Sequence, residues 1–107
     1  RRYGDLQHDE VTAVASELWS VPVLERRLAA IVLLQRYVES LTGNDLTRIE
    51  GFLRDARVGD LIEPLTVDVV RPLLARLRGA EAERARRIVA RWASSDAQSL
   101  QTAAALL

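Results

Sequence analysis

The residues best suited to chemistry in this sequence are two carboxylates one helical turn apart, Asp60 and Glu63. At i and i+3 they share one face of a helix. One can serve as a general acid or base while the other steadies a developing positive charge. The same spacing also suits a pair that caps a helix N-terminus, so the structural reading stands beside the chemical one. Arg26 and Arg27 follow Glu25 at the head of an apolar run. Two guanidinium groups beside the free N–H groups of a helix start would suit a phosphate. Alternatively, Glu25 complements the helix dipole and pairs with an arginine of a neighbouring hairpin. A third group, Arg84, Arg87 and Arg91 with Arg86 close by, lies on one stripe. It reads either as a phosphate-binding strip or as a solvated face on which Glu83 pairs with Arg87.

Composition excludes much else. There are no cysteines and one histidine, His8. Disulfides, thiol catalysis and Cys-based zinc sites are therefore ruled out, and no metal or other cofactor is expected. No phosphate-binding loop, dinucleotide fingerprint, nucleophile elbow or zinc-protease motif occurs. The 15 basic residues, all arginine, balance 15 acidic ones. No global field draws in nucleic acid, and such a partner would have to meet a local patch. The apolar runs are too short to span a bilayer and nothing resembles a signal peptide, so a cytoplasmic location is expected. The chain begins at Arg1 and contains no methionine, which reads as a piece of a longer array.

The elements that must position these side chains are helical. About six segments can be drawn, and no stretch alternates with period two. The first spans roughly Asp9 to Trp19, with Val11, Val14, Leu18 and Trp19 on its apolar side. Ser20 is placed to cap a second that reaches about Leu41 and carries Pro22 in its first turn. Leu28 to Leu34 is apolar all round, which predicts burial on several sides. Asn44 opens a third, with Leu46, Ile49, Leu53 and Ala56 on one face. Pro64 and Pro72 predict a short turn near Asp60 and then a kinked helix from about Thr66 to Arg78. After Gly79 comes a fifth, Ala80 to Ser94, with Ala85, Ile88, Val89 and Trp92 facing inward. Ser95 and Gln98 are spaced as a capping box for a last helix ending at Leu107.

Short connections between these segments predict antiparallel hairpins. The pattern Trp19, Ala30, Leu33-Leu34 recurs at the same offsets as Trp92, Ala103, Leu106-Leu107, a shift of 73 residues. The expected architecture is one all-α domain over residues 1–107, a HEAT-like array of helical hairpins, with a plain bundle as the alternative. In such an array alternate helices line opposite faces. The second, fourth and sixth form one row, and the first, third and fifth the other.

With these residues in place, one resemblance emerges. Leu18-Trp19-Ser20, Glu25-Arg26-Arg27-Leu28-Ala29-Ala30 and Leu33-Leu34 look like the core of the DNA alkylation repair (AlkD-like) glycosylases. Asp45-Leu46, Ile49-Glu50, Phe52-Leu53 and Arg91-Trp92-Ala93-Ser94-Ser95 continue the match. The resemblance implies a concave surface that binds duplex DNA and excises purines alkylated at N3 or N7 by breaking the glycosidic bond. It places a carboxylate near the developing positive charge, and here Glu63, with Asp60 beside it, holds that position. Arg26, Arg27 and Arg71 would lie along the concave row as backbone contacts. At the family's Trp-Asp-x-x-Asp motif this chain reads Gly59-Asp60-Leu61-Ile62-Glu63, and at its Trp-Leu-Arg-Arg motif Ser99-Leu100-Gln101-Thr102. The other reading is a catalytically inactive scaffold that uses the same array to bind a protein partner.

Overall fold

The computed structural model describes residues 6–56 and 59–107. Helix α1 spans His8–Ser20 and α2 spans Leu24–Arg36, followed by a 3-10 turn at Val38–Ser40. Helix α3 spans Asp45–Asp55, α4 Gly59–Pro64 and α5 Arg71–Arg76, with a π-helical stretch, Leu65–Val70, joining α4 to α5. Helices α6, Gly79–Trp92, and α7, Gln98–Leu106, complete the chain. The protein is all-helical, with no strand among the described residues. None of these helices is long and apolar enough to cross a membrane.

Each helix packs on its neighbours in a fixed order. Helix α1 packs on α2, α2 on α4 and the π stretch, and α7 on α3, α4, the π stretch and α6. One row is therefore α2, α4 with the π stretch, and α7. The other row is tied by polar bonds: Arg48 of α3 donates to Ser16 of α1 at 2.7 Å, and Trp92 of α6 donates to Glu50 of α3 at 2.8 Å. The extents, 43 × 36 × 16 Å, describe a slab. Its thinnest dimension holds two layers of helices spaced by about 8–10 Å.

The core runs between the rows. Leu46, Ile49, Leu53 and Ala56 of α3 are buried on one face, as their spacing requires, against Leu65, Val69, Val70 and Leu73 of the long helical run. Both tryptophans are buried where they close α1 and α6. Trp19 stacks on Phe52 with ring centroids 4.8 Å apart, while Trp92 reaches Glu50, so α3 meets both. Ala30 and Ala103, at matching offsets from the two tryptophans, are both fully buried.

The structure corrects several local expectations. The two prolines do not break the chain into a turn and a separate helix, because helical geometry runs from Gly59 to Arg76. In the π stretch the Arg71 N–H bonds to the Thr66 carbonyl five residues back. That wider turn lies directly before Pro72 and loosens the turn its ring would otherwise strike, while Pro64 sits at the end of the short helix α4. Ser20 does not cap α2: its hydroxyl turns back to the Glu17 carbonyl at 2.8 Å and closes α1, and Val23 takes the N-cap position. Helix α2 stops at Arg36 rather than Leu41, since Tyr37 leaves helical dihedrals at φ −109°, ψ 24°. Ser95 and Gln98 form no capping box. The Ser95 hydroxyl instead accepts the Ala97 N–H at 3.1 Å, a local turn that sets Ala97 as the cap of α7.

The middle of α2 is not buried all round. Ala30, Ile31 and Leu34 face the core, while Leu24, Leu28 and Val32 are exposed, Val32 at 62 %. Helix α2 ends its row and has packed neighbours on only part of its circumference. Val14 of α1, at 40 %, is exposed for the same reason.

Gly79 carries the one left-handed backbone conformation among the described residues, at φ +61°. A Cβ there would meet no neighbour, so the strain lies in the backbone alone. Gly79→Ala is expected to cost about 1–2 kcal/mol. In urea the unfolding midpoint should fall while the slope stays unchanged.

Candidate functional site

Helix α4 brings Asp60 and Glu63 onto one exposed face, as their spacing requires. Both line an open cleft of about 560 Å³ together with Pro64 and, from the first turns of α2, Leu24 and Leu28. The cleft thus has a carboxylate wall and an apolar wall. It lies where α2 crosses α4, immediately before the π stretch. Such a setting suits a flat, positively charged group: apolar surface receives its faces and the carboxylates oppose its charge.

The three arginines expected to hold nucleic acid do not gather at this cleft. Arg27 is committed to the fold: its Nε donates to the Trp19 carbonyl at 3.0 Å and Nη1 to the Asp55 carbonyl at 3.3 Å. Its guanidinium also lies 4.8 Å from the centroid of the Trp19 ring. One side chain therefore clasps the ends of α1 and α3 against α2. Arg71 donates through Nη2 to the Leu106 carbonyl and fastens the end of α7 to α5. Arg26 is exposed and has no partner among the described residues. On α2 it stands about 200° around the axis from Leu24, so it leaves from the side away from the cleft.

The arginine stripe lies on α6, which belongs to the row opposite Glu63. Glu83 pairs with Arg86 at 2.7 Å rather than with Arg87. The Arg86 hydrogen bond, aided by its charge and that of Arg87, holds the Glu83 carboxyl below its usual range. Arg84, Arg87 and Arg91 remain exposed.

Two groupings were not legible in the sequence. His8 binds Asp9 through Nδ1 and Asp45 through Nε2, each at 2.8 Å, although Asp45 is 37 residues away. A second cleft, of about 360 Å³, is lined by Arg54 and Ala56, Ile62 of α4, and Ala97, Gln98 and Ser99 at the start of α7. Nothing in local spacing signals either one, because each is assembled from helices distant in sequence. Among the described residues no three His, Asp or Glu side chains gather as a metal site.

The family model described as DNA alkylation repair enzyme matches residues 1–107. No curated protein matches the chain, and no solved structure does.

Proposed function

The chain belongs to the DNA alkylation repair enzyme family, and from that premise we propose that it binds duplex DNA bearing N3- or N7-alkylated purines and hydrolyses their glycosidic bond. The observation that carries this reading is the carboxylate pair Asp60 and Glu63 in a cleft walled by Leu24, Leu28 and Pro64. An alkylated purine is a cation with flat apolar faces. The cleft complements both properties.

The reaction asks little of a protein beyond charge and position. The bond between C1′ and the purine nitrogen breaks, and its electron pair leaves with the base, which becomes neutral. Positive charge then resides on C1′ and the ring oxygen of the sugar. Glu63 faces that charge and lowers its energy, as carboxylates do at the comparable centre in sugar hydrolysis. Water adds at C1′ through its oxygen, and its proton passes to the carboxylate pair, from which solvent removes it.

A second reading rests on a different observation. Leu24, Leu28 and Val32 form an exposed apolar stripe along α2, and Gly59 and Ser99 stand where the resemblance expects aromatic side chains. These features favour a catalytically silent scaffold for a protein partner.

The deciding experiment measures release of methylated purines from alkylated duplex DNA by the protein and its Glu63→Gln variant. The variant keeps the side-chain shape and removes the charge. Release should fall about 100-fold while salt-dependent duplex binding persists. If the parent releases no base and shows no salt-dependent binding, the repair reading is overturned and the scaffold reading stands.

A further inference from the structure

The arginine stripe of α6 is a charged feature that the proposed reaction leaves unused. Arg84, Arg87 and Arg91 are exposed, and at i, i+3 and i+7 they fall within about 60° of one another around the helix. Along its axis they span about 10 Å. Among the described residues no carboxylate bonds to any of the three. The acids on α6, and Glu50 of α3 where it meets Trp92, are already engaged. Glu83 bonds to Arg86 at 2.7 Å and receives only the charge of Arg87. Glu81 accepts the Gly43 N–H at 2.8 Å, and Glu50 is divided between the Arg54 guanidinium and the Trp92 indole.

The position of the stripe decides what it fits. It belongs to the row of α1, α3 and α6, so a duplex seated at the Asp60–Glu63 cleft lies against the other layer of the slab. The rest of its own row is not basic. Helix α1 has no arginine and exposes Asp9 and Glu17. On α3, Arg48 and Arg54 are held by Ser16 and Glu50, and Asp55 is exposed. A second duplex laid across the row would meet carboxylates on both of these helices, whereas a short segment along α6 meets mainly the stripe. The steps between the arginines, about 4.5 and 6 Å, are those at which carboxylates recur on one face of a partner helix. Half-buried Ile88, at i+4 from Arg84 and i−3 from Arg91, gives apolar ground beside the charges.

We propose that the outer face of α6 is a docking surface for an acidic helical segment of a protein partner. Carboxylates of that segment at i, i+3 or i+4, and i+7 pair with Arg84, Arg87 and Arg91. Exposed pairs held in register select for spacing more than they add raw affinity, and salt weakens them. The surface depends neither on Glu63 being catalytic nor on the apolar stripe of α2, so its failure leaves the repair reading untouched.

The test titrates the protein, at low salt, with a fluorescent alanine-based helical peptide that carries glutamates at i, i+3 and i+7. A second peptide has the same composition with its glutamates distributed around the helix, and an undamaged DNA duplex is the third probe. The striped peptide is expected to bind about tenfold more tightly than the redistributed one, and about tenfold more weakly to the combined Arg84→Gln, Arg87→Gln, Arg91→Gln variant. Arg26→Gln, which removes a charge from the opposite row, should leave its affinity unchanged. Equal affinity for the two peptides, or none for either, overturns the proposal. So does a triple variant that binds the striped peptide as the parent does. Duplex binding that the triple variant loses, with no binding of either peptide, overturns it in favour of nucleic acid on the stripe. All three arginines are exposed and glutamine is a good helix former, so the triple variant should fold.

Discussion

Trp92→Ala should lower the stability of the folded chain by about 4 kcal/mol, the largest effect expected of any single side chain here. Trp92 is 1 % exposed at the end of α6 and donates its indole N–H to Glu50 of α3 at 2.8 Å. Truncation would leave a cavity between α3 and α6 and strip the Glu50 carboxylate of a donor. Total stabilities of domains this size run about 5–15 kcal/mol, so much of the folded population would be lost on modest warming. Trp19 provides the internal control. It is buried to the same degree, but its indole nitrogen has no hydrogen-bond partner among the described residues. Conservative Phe substitutions should therefore separate the two: Trp92→Phe loses a bond to a charged acceptor, about 1.5–3 kcal/mol, whereas Trp19→Phe loses volume and part of the Arg27 contact but no hydrogen bond. Equal losses in urea melts would sink this account of Trp92.

The second large effect centres on Asp45. Its carboxylate is nearly buried and holds three groups: the His8 ring at 2.8 Å, the Thr42 backbone N–H at 2.8 Å and the Thr42 hydroxyl at 3.3 Å. It thereby pins the start of α1 to the turn that leads into α3. Asp45→Ala should cost about 2–3 kcal/mol, since hydrogen bonds to a charged group are lost together. The bracket also makes stability depend on pH. Hydrogen bonds from His8 to Asp45 and then to Asp9 raise the histidine above its ordinary value of 6.5. Only the protonated ring donates from both nitrogens, so loss of the proton forfeits one of the two carboxylate bonds. The folded state binds this proton more tightly than the unfolded chain does. Its stabilisation is complete below pH 6.5 and declines as pH rises through the raised value in the folded state. Chemical melts at pH 6 and pH 8.5 should show the parent weaker at the higher pH, with the difference diminished in His8→Gln. Identical pH dependence in parent and variant would exclude His8 as its source.

Periodicity identified the helices well because it reports what each segment does locally. The α3 face of Leu46, Ile49, Leu53 and Ala56 is buried as its spacing predicted. The i, i+3 relation of Asp60 and Glu63 likewise held, being set by helix geometry alone. Expectations failed where a competing local bond or a missing neighbour decided the matter. Ser20 and Ser95 were chemically able to cap, but each hydroxyl found a different partner. Pro64 and Pro72 ordinarily stop a helix, yet helical geometry continues past both, with a π turn between them. Leu24, Leu28 and Val32 have side chains typical of a core, but no described segment covers them.

Residue type and spacing were enough for the all-helical class, the positions of most helices, the lack of any cysteine and the shared face of Asp60 and Glu63. All of these follow from residue type and short-range spacing. Only the stacking of the helices settles that Arg27 and Arg71 hold carbonyls of other helices, that His8 meets Asp45, and that Arg54 shares a cleft with the start of α7. An arginine reads the same in sequence whether it serves a phosphate or a carbonyl. Which one it meets depends on how helices far apart in the chain stack, because stacking fixes which acceptors come within reach of its side chain.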